Sequence, residues 1–144
     1  MVGSAQPVAL IVENEAALCL LTDDLLTAEG FDTVFADDED DAAFQALAAG
    51  QIAVAVVSLR LHGALAGRRV IQRLRQHAPG LPVVVMTGYD KKAPQADLRG
   101  VGGPTVRLHK PGAYEELAPV SLAVIDRARR GEAPMYGRRR DDIT

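Results

Sequence analysis

From Ile52 to Val57 every side chain is apolar, with no polar residue alternating among them, and Ser58 closes the run. A strand of this kind has no face to turn to water. It must therefore lie in the middle of a parallel sheet, covered by helices on both sides. That expectation sets how the rest of the chain is read.

The remaining segments supply the cover. Residues 8–12 form a short β-type run, after which Leu18, Leu21 and Leu25 recur at helical spacing until Gly30. Residues 31–36 read as a second strand. The acidic run 37–41 suits the N-cap and first turn of a helix reaching Ala49 and Gly50, because carboxylates favour the positive end of the helix dipole. Neighbouring acids on a helix do not converge, so the run is not read as a metal site. After the central strand a loop at 63–67 leads into a helix over 68–77, with Val70, Ile71 and Leu74 inward and its four arginines outward in solvent. Pro79 and Gly80 stop it. Residues 81–87 make a fourth strand. Between Asp90 and Thr105 the prolines and glycines leave room only for a short fourth helix. Residues 105–109 are a fifth strand, and a last helix over 114–130 carries Leu117, Val120, Val124 and Ile125 on its apolar face.

Five β-α units imply an α/β fold: a parallel sheet, right-handed crossovers, helices on both faces, and a site at the carboxyl ends of the strands. Those ends carry Glu13 and Asn14, Ser58, Thr87, and Lys110. The length of 144 residues fits one domain over 7–130, with a short extension at 1–6 and a tail at 131–144 that lacks apolar periodicity and is read as carrying no effector domain. In that tail Arg138 to Arg140 is read as a solvated charge run. The net charge of −3 argues against a nucleic-acid partner. No apolar run approaches the roughly 20 residues of a membrane span, and no signal-peptide pattern opens the chain, so a cytoplasmic location is expected. The lone Cys19 is read as a packing residue.

With these residues in place, the chain resembles the receiver domain of two-component response regulators over residues 7–130. Glu13 and Asn14 match the acidic pair after the first strand, Ser58 the phosphoacceptor aspartate, Thr87 the fourth-strand Thr or Ser, and Lys110 with Pro111 the Lys-Pro of the fifth. The resemblance implies a three-layer, flavodoxin-like sheet in the order 2-1-3-4-5. It further implies phosphorelay signalling by contact with a kinase, receiver or regulator. The face made by the fourth helix, fifth strand and last helix would serve partners or a homodimer.

The departures from that pattern shape the expected function. Asn14 and Ser58 replace two carboxylates, leaving Glu13 as the sole acidic ligand. At about 4 Å and an effective dielectric of about 20, each lost charge forfeits roughly 8 kcal/mol of attraction for a divalent ion. Weak or absent Mg²⁺ binding is expected, no other cofactor is implied, and Glu13 and Lys110 should neutralise each other. Ser58 offers a protonated hydroxyl with no adjacent histidine, since His62 follows in the loop and His77 and His109 lie elsewhere, and no Gly-x-Ser-x-Gly elbow surrounds it. It is read as a silenced acceptor in a chain that is not an enzyme. Arg107 occupies the position of the family's fifth-strand switch aromatic, where a guanidinium cannot enter an apolar slot cheaply. Tyr89, after Thr87 and Gly88, is either a substitute switch or a partly exposed ring over the fourth-strand loop. Two alternatives are a small-molecule-binding or enzymatic domain on the same sheet, and a decoy that titrates a kinase or regulator.

Overall fold

The computed structural model describes residues 6–89, 93–94, 97–110 and 112–131. Five parallel strands, β1 (Val8–Val12), β2 (Asp32–Ala36), β3 (Val54–Ser58), β4 (Val83–Thr87) and β5 (Thr105–His109), form one sheet in the order β2-β1-β3-β4-β5. The helices are α1 (Ala16–Thr27), α2 (Glu39–Ala49), α3 (Gly67–His77) and α4 (Leu117–Arg129), with a 3₁₀ turn at Gly112–Glu116 leading into α4. Every residue of β3 and β4 is buried, which is the double cover that the unbroken apolar run demands. Alternate side chains divide between two cores. Leu10, Val12, Ala55, Val57, Val83 and Val85 pack under α2 and α3, while Ile11, Val54, Val56, Val84 and Met86 meet the residues of α1 and α4.

The helix ends follow from their residues. Asp38 Oδ1 accepts the Asp41 amide at 2.8 Å, capping α2, and Asp41 Oδ2 reaches back to accept the Asp37 amide at 3.3 Å. Glu39 and Asp40 in its first turn pair across to Arg69 and Arg73 of α3.

Three readings of the sequence change. In the expected stripe of α1, Leu18 and Leu25 pack against the core but Leu21 faces out, and Thr22 and Leu26 are the fully buried pair. Thr22 tolerates burial because its hydroxyl donates to the Leu18 carbonyl at 2.8 Å. The last helix begins three residues later than expected, at Leu117, with Tyr114 in the 3₁₀ turn. Most important, the arginines of α3 do not all face solvent. Arg75 is 8% exposed and donates to the carbonyls of Leu81, Val101 and Pro104 and to Thr105 Oγ1, at 2.7 to 3.2 Å. Arg68 likewise donates to the carbonyls of Asp97 and Arg99. The segment before β5 carries glycines with positive φ at 100 and 102, and two guanidiniums rather than a helical hydrogen-bond ladder satisfy its backbone. The short fourth helix expected there lies partly outside the described residues, and the described stretch 97–104 is bend and turn. Residues 1–5, Pro111 and the tail from 132, including Arg138 to Arg140, also fall outside them.

Past the carboxyl end of β5 Tyr114 is 7% exposed, and its hydroxyl has no hydrogen-bond partner among the described residues. Burial first, then Glu13 and Glu15, push its phenol up from 10.0 to about 12. The folded state therefore favours the protonated phenol. Its contribution is complete below pH about 10 and is lost as pH rises through about 12.

Two outcomes follow. Arg75→Met should lower the free energy of unfolding by about 3 kcal/mol or more, because buried carbonyls lose a charged donor, seen as a lower denaturant midpoint. An unchanged midpoint would mean that water replaces the guanidinium without cost. Tyr114→Phe should raise stability at neutral pH by about 1 kcal/mol by removing an unsatisfied hydroxyl, and should flatten the loss of melting temperature between about pH 10 and 12.

Candidate functional site

Parallel register brings the strand ends to one level. Val12 pairs with Ala36 and Val57, Ser58 with Met86, and Thr87 with His109, so Glu13, Ser58, Thr87 and Lys110 emerge together. Glu13 sits immediately past β1, its amide donating to the Ala36 carbonyl at 3.0 Å. Its side chain is 6% exposed and fully engaged. One oxygen, Oε2, accepts the amides of Asn14 and Glu15, both at 3.1 Å. The other, Oε1, accepts Ser58 Oγ at 2.8 Å and Lys110 Nζ at 3.1 Å. Lys110 Nζ also donates to Ser58 Oγ at 2.7 Å, so carboxylate, hydroxyl and ammonium close a three-membered ring of hydrogen bonds. Looking for a histidine beside Ser58 missed the group that does take its proton in a hydrogen bond, the Glu13 carboxylate.

Asn14 turns away from this ring. Its Oδ1 accepts the amide of His62 at 3.1 Å, tying the end of β1 to the loop after β3. That loop is a tight turn in which Leu61 and Ala64 exchange amide bonds, with His62 at φ 52 and Gly63 at φ 77. The loop enters α3 through Gly67, where a Cβ would stand 2.4 Å from the Ser58 carbonyl oxygen. Only glycine lets α3 start this close to the tip of β3.

Thr87 is buried and its Oγ1 accepts the Tyr89 amide at 3.0 Å, while the Lys110 amide donates to the Thr87 carbonyl at 2.7 Å. Tyr89 is half-buried, and its phenol accepts Arg60 Nη1 at 3.1 Å. Arg60 was not among the residues expected at the site. Its place two residues beyond Ser58, in the same strand-end loop, was the available signal. Arg107 does not join the cluster. Its register partner is Val85, which puts it on the α2 and α3 side of the sheet, and burial lowers its guanidinium from the ordinary arginine value while Asp97 opposes that shift. Above the ring opens a cleft of about 420 Å³ lined in part by Asn14, Arg60, Met86, Thr87, Tyr89 and Lys110. Among the described residues, no three His, Cys, Asp or Glu side chains converge as metal ligands would, and no helix is long and apolar enough to cross a membrane.

Known proteins provide the frame for this geometry. The family model of the response regulator receiver domain matches residues 9–119. No curated protein matches the chain. A CheY-like response regulator receiver domain protein from Methanospirillum hungatei JF-1 superposes with a TM-score of 0.74 at 17% identity, over 88% of this chain and 98% of that one. A response regulator from Thermotoga maritima gives 0.69 at 21%, over 84% and 98%. The receiver domain of a sensor histidine kinase from Pseudomonas aeruginosa PAO1, solved with a magnesium ion coordinated in its active site cleft, gives 0.70 at 19%, over 85% and 99%. At such identities the structural likeness establishes the fold, and the family match establishes membership. With a sheet in the order β2-β1-β3-β4-β5 and that match spanning residues 9–119, the chain belongs to the response regulator receiver domain family.

Proposed function

We propose that this receiver serves two-component signalling through protein contacts, with a pocket closed both to magnesium and to phosphoryl transfer at the usual position. The observation that carries this reading is the placement of Ser58 Oγ, 2.7 Å from Lys110 Nζ and 2.8 Å from Glu13 Oε1. A serine so held accepts from the ammonium and donates to the carboxylate, and it is 2% exposed. The family's aspartate presents an anionic oxygen to the loose transition state, whereas this hydroxyl has its proton and a lone pair already committed inside a buried ring. Glu13 is in no better position to bind a metal. Both of its oxygens are taken by two donors each, and an ion that demands octahedral oxygen ligands at about 2.1 Å would meet a lysine ammonium where a second carboxylate is needed. The donor set therefore does not fit Mg²⁺.

Output on this reading comes from surfaces. The segment before β5, anchored by Arg68 and Arg75, lies next to the β5 and α4 face that receivers use for partners. The turns within residues 97–104 shape this surface, which suits a partner of its own.

Incubation with Mg²⁺ and a small acyl phosphate should leave the intact mass unchanged, and a gain of one phosphoryl group on Ser58 would overturn the proposal. Ser58→Asp should restore a nucleophile with only weak Mg²⁺ affinity. Adding Asn14→Asp should tighten Mg²⁺ binding by at least about tenfold, since an unpaired charge near a divalent ion far exceeds the roughly 1.4 kcal/mol that a tenfold change requires. Isothermal titration of the two variants checks the order. Tight binding by Ser58→Asp alone would refute the charge argument.

A further inference from the structure

The cleft above the ring is rich in donors that the fold itself does not use. Arg60 is exposed, pairs with no carboxylate among the described residues, and is steadied by the Tyr89 phenol at 3.1 Å. Thr87 Oγ1 accepts the Tyr89 amide, and among the described residues no acceptor takes its proton. Asn14 spends its Oδ1 on His62, and its Nδ2 has no acceptor there either. Lys110 Nζ has two acceptors for three protons. Opposing an anion is Glu15 on the rim of the cleft. Glu13, the other carboxylate nearby, is already met by four donors and turns no free lone pair toward the opening.

The cleft is also larger than a lone inorganic anion needs. About 420 Å³ lies in the range of small-molecule pockets, and the half-buried Tyr89 ring gives it an apolar wall. A planar guanidinium beside an aromatic ring suits an oxyanion carried on a flat apolar body, because the fork binds the anion in two hydrogen bonds while the ring covers the body.

We propose that the cleft between Arg60, Thr87, Tyr89 and Lys110 binds, without any covalent bond, a small organic oxyanion, a phosphate monoester or carboxylate on a flat apolar body. This rests on the reading of a pocket that is not phosphorylated, and it gives that pocket a reversible input. Arg60 and Tyr89 contribute the recognition, and Thr87 and Lys110 line the cleft from the strand ends.

Titration of the full chain without Mg²⁺, followed by backbone amide NMR, is the test, with phenyl phosphate, benzoate and inorganic phosphate as separate probes at matched ionic strength. Saturable shifts at Gly63, Gly88 and Tyr89 are expected for phenyl phosphate or benzoate, and which of the two binds tighter identifies the head group. Either should exceed inorganic phosphate in affinity by about tenfold, and Arg60→Met should weaken the better probe by about tenfold or more. Because Arg60 is exposed, that variant should keep the wild-type melting temperature. No saturable shift with any probe, or equal affinity in Arg60→Met, would overturn the inference. Intact mass after acyl phosphate treatment separates the two proposals: a phosphorylated product sinks the reading of the pocket, whereas an unmodified chain that binds no probe sinks the ligand alone.

Discussion

The Glu13 carboxylate is the fixed point of the strand-end region. Two backbone amides hold one oxygen and the Ser58 hydroxyl and Lys110 ammonium hold the other, so a single buried anion joins β1, β3 and the end of β5. A buried charge is tolerable only when its lone pairs are met, and here each oxygen has two donors. At 3.1 Å, and at an effective dielectric of about 20, the attraction to Lys110 is about 5 kcal/mol before desolvation is charged against it. Removing either partner would strand the other. The serine and the asparagine are consistent with this economy of charge, since one supplies a neutral bridge inside the ring and the other spends its carbonyl on a loop.

Much of the architecture was legible because it follows from one-dimensional patterns. A run such as Val54 to Val57 can only be covered on both faces, and parallel strands deliver their ends to one edge, so Glu13, Ser58, Thr87 and Lys110 could be grouped before any coordinates. What escaped was whatever depends on where a long or small side chain turns in three dimensions. Leu21 and Thr22 are adjacent, and a hydropathy stripe prefers the leucine, yet the threonine goes inward because it can bond to the preceding turn. Arg75 is the same residue type as its more exposed neighbours Arg69 and Arg73, on the same helix. Its burial is decided by carbonyls on a distant loop, a contact with no local signature. Arg60 and the Asn14 to His62 bond are of this second kind as well.

Residues 97–104, before β5, are held by side chains of α3. Arg75 reaches across from α3 to the Leu81 carbonyl before β4 and to those of Val101 and Pro104 before β5, and Arg68 takes the carbonyls of Asp97 and Arg99 just upstream. Since both arginines belong to α3, the conformation of this surface is coupled to a helix whose N-terminus lies beside the acceptor position.

That N-terminus begins at Gly67, whose missing side chain leaves the space occupied by the carbonyl of Ser58 and the Cα of Leu59. Helix and strand tip are thus in backbone-to-backbone contact, with no soft side chain between them to absorb a shift. A shift at the tip of β3 would therefore have to be taken up by α3 itself, the helix that also carries Arg68 and Arg75.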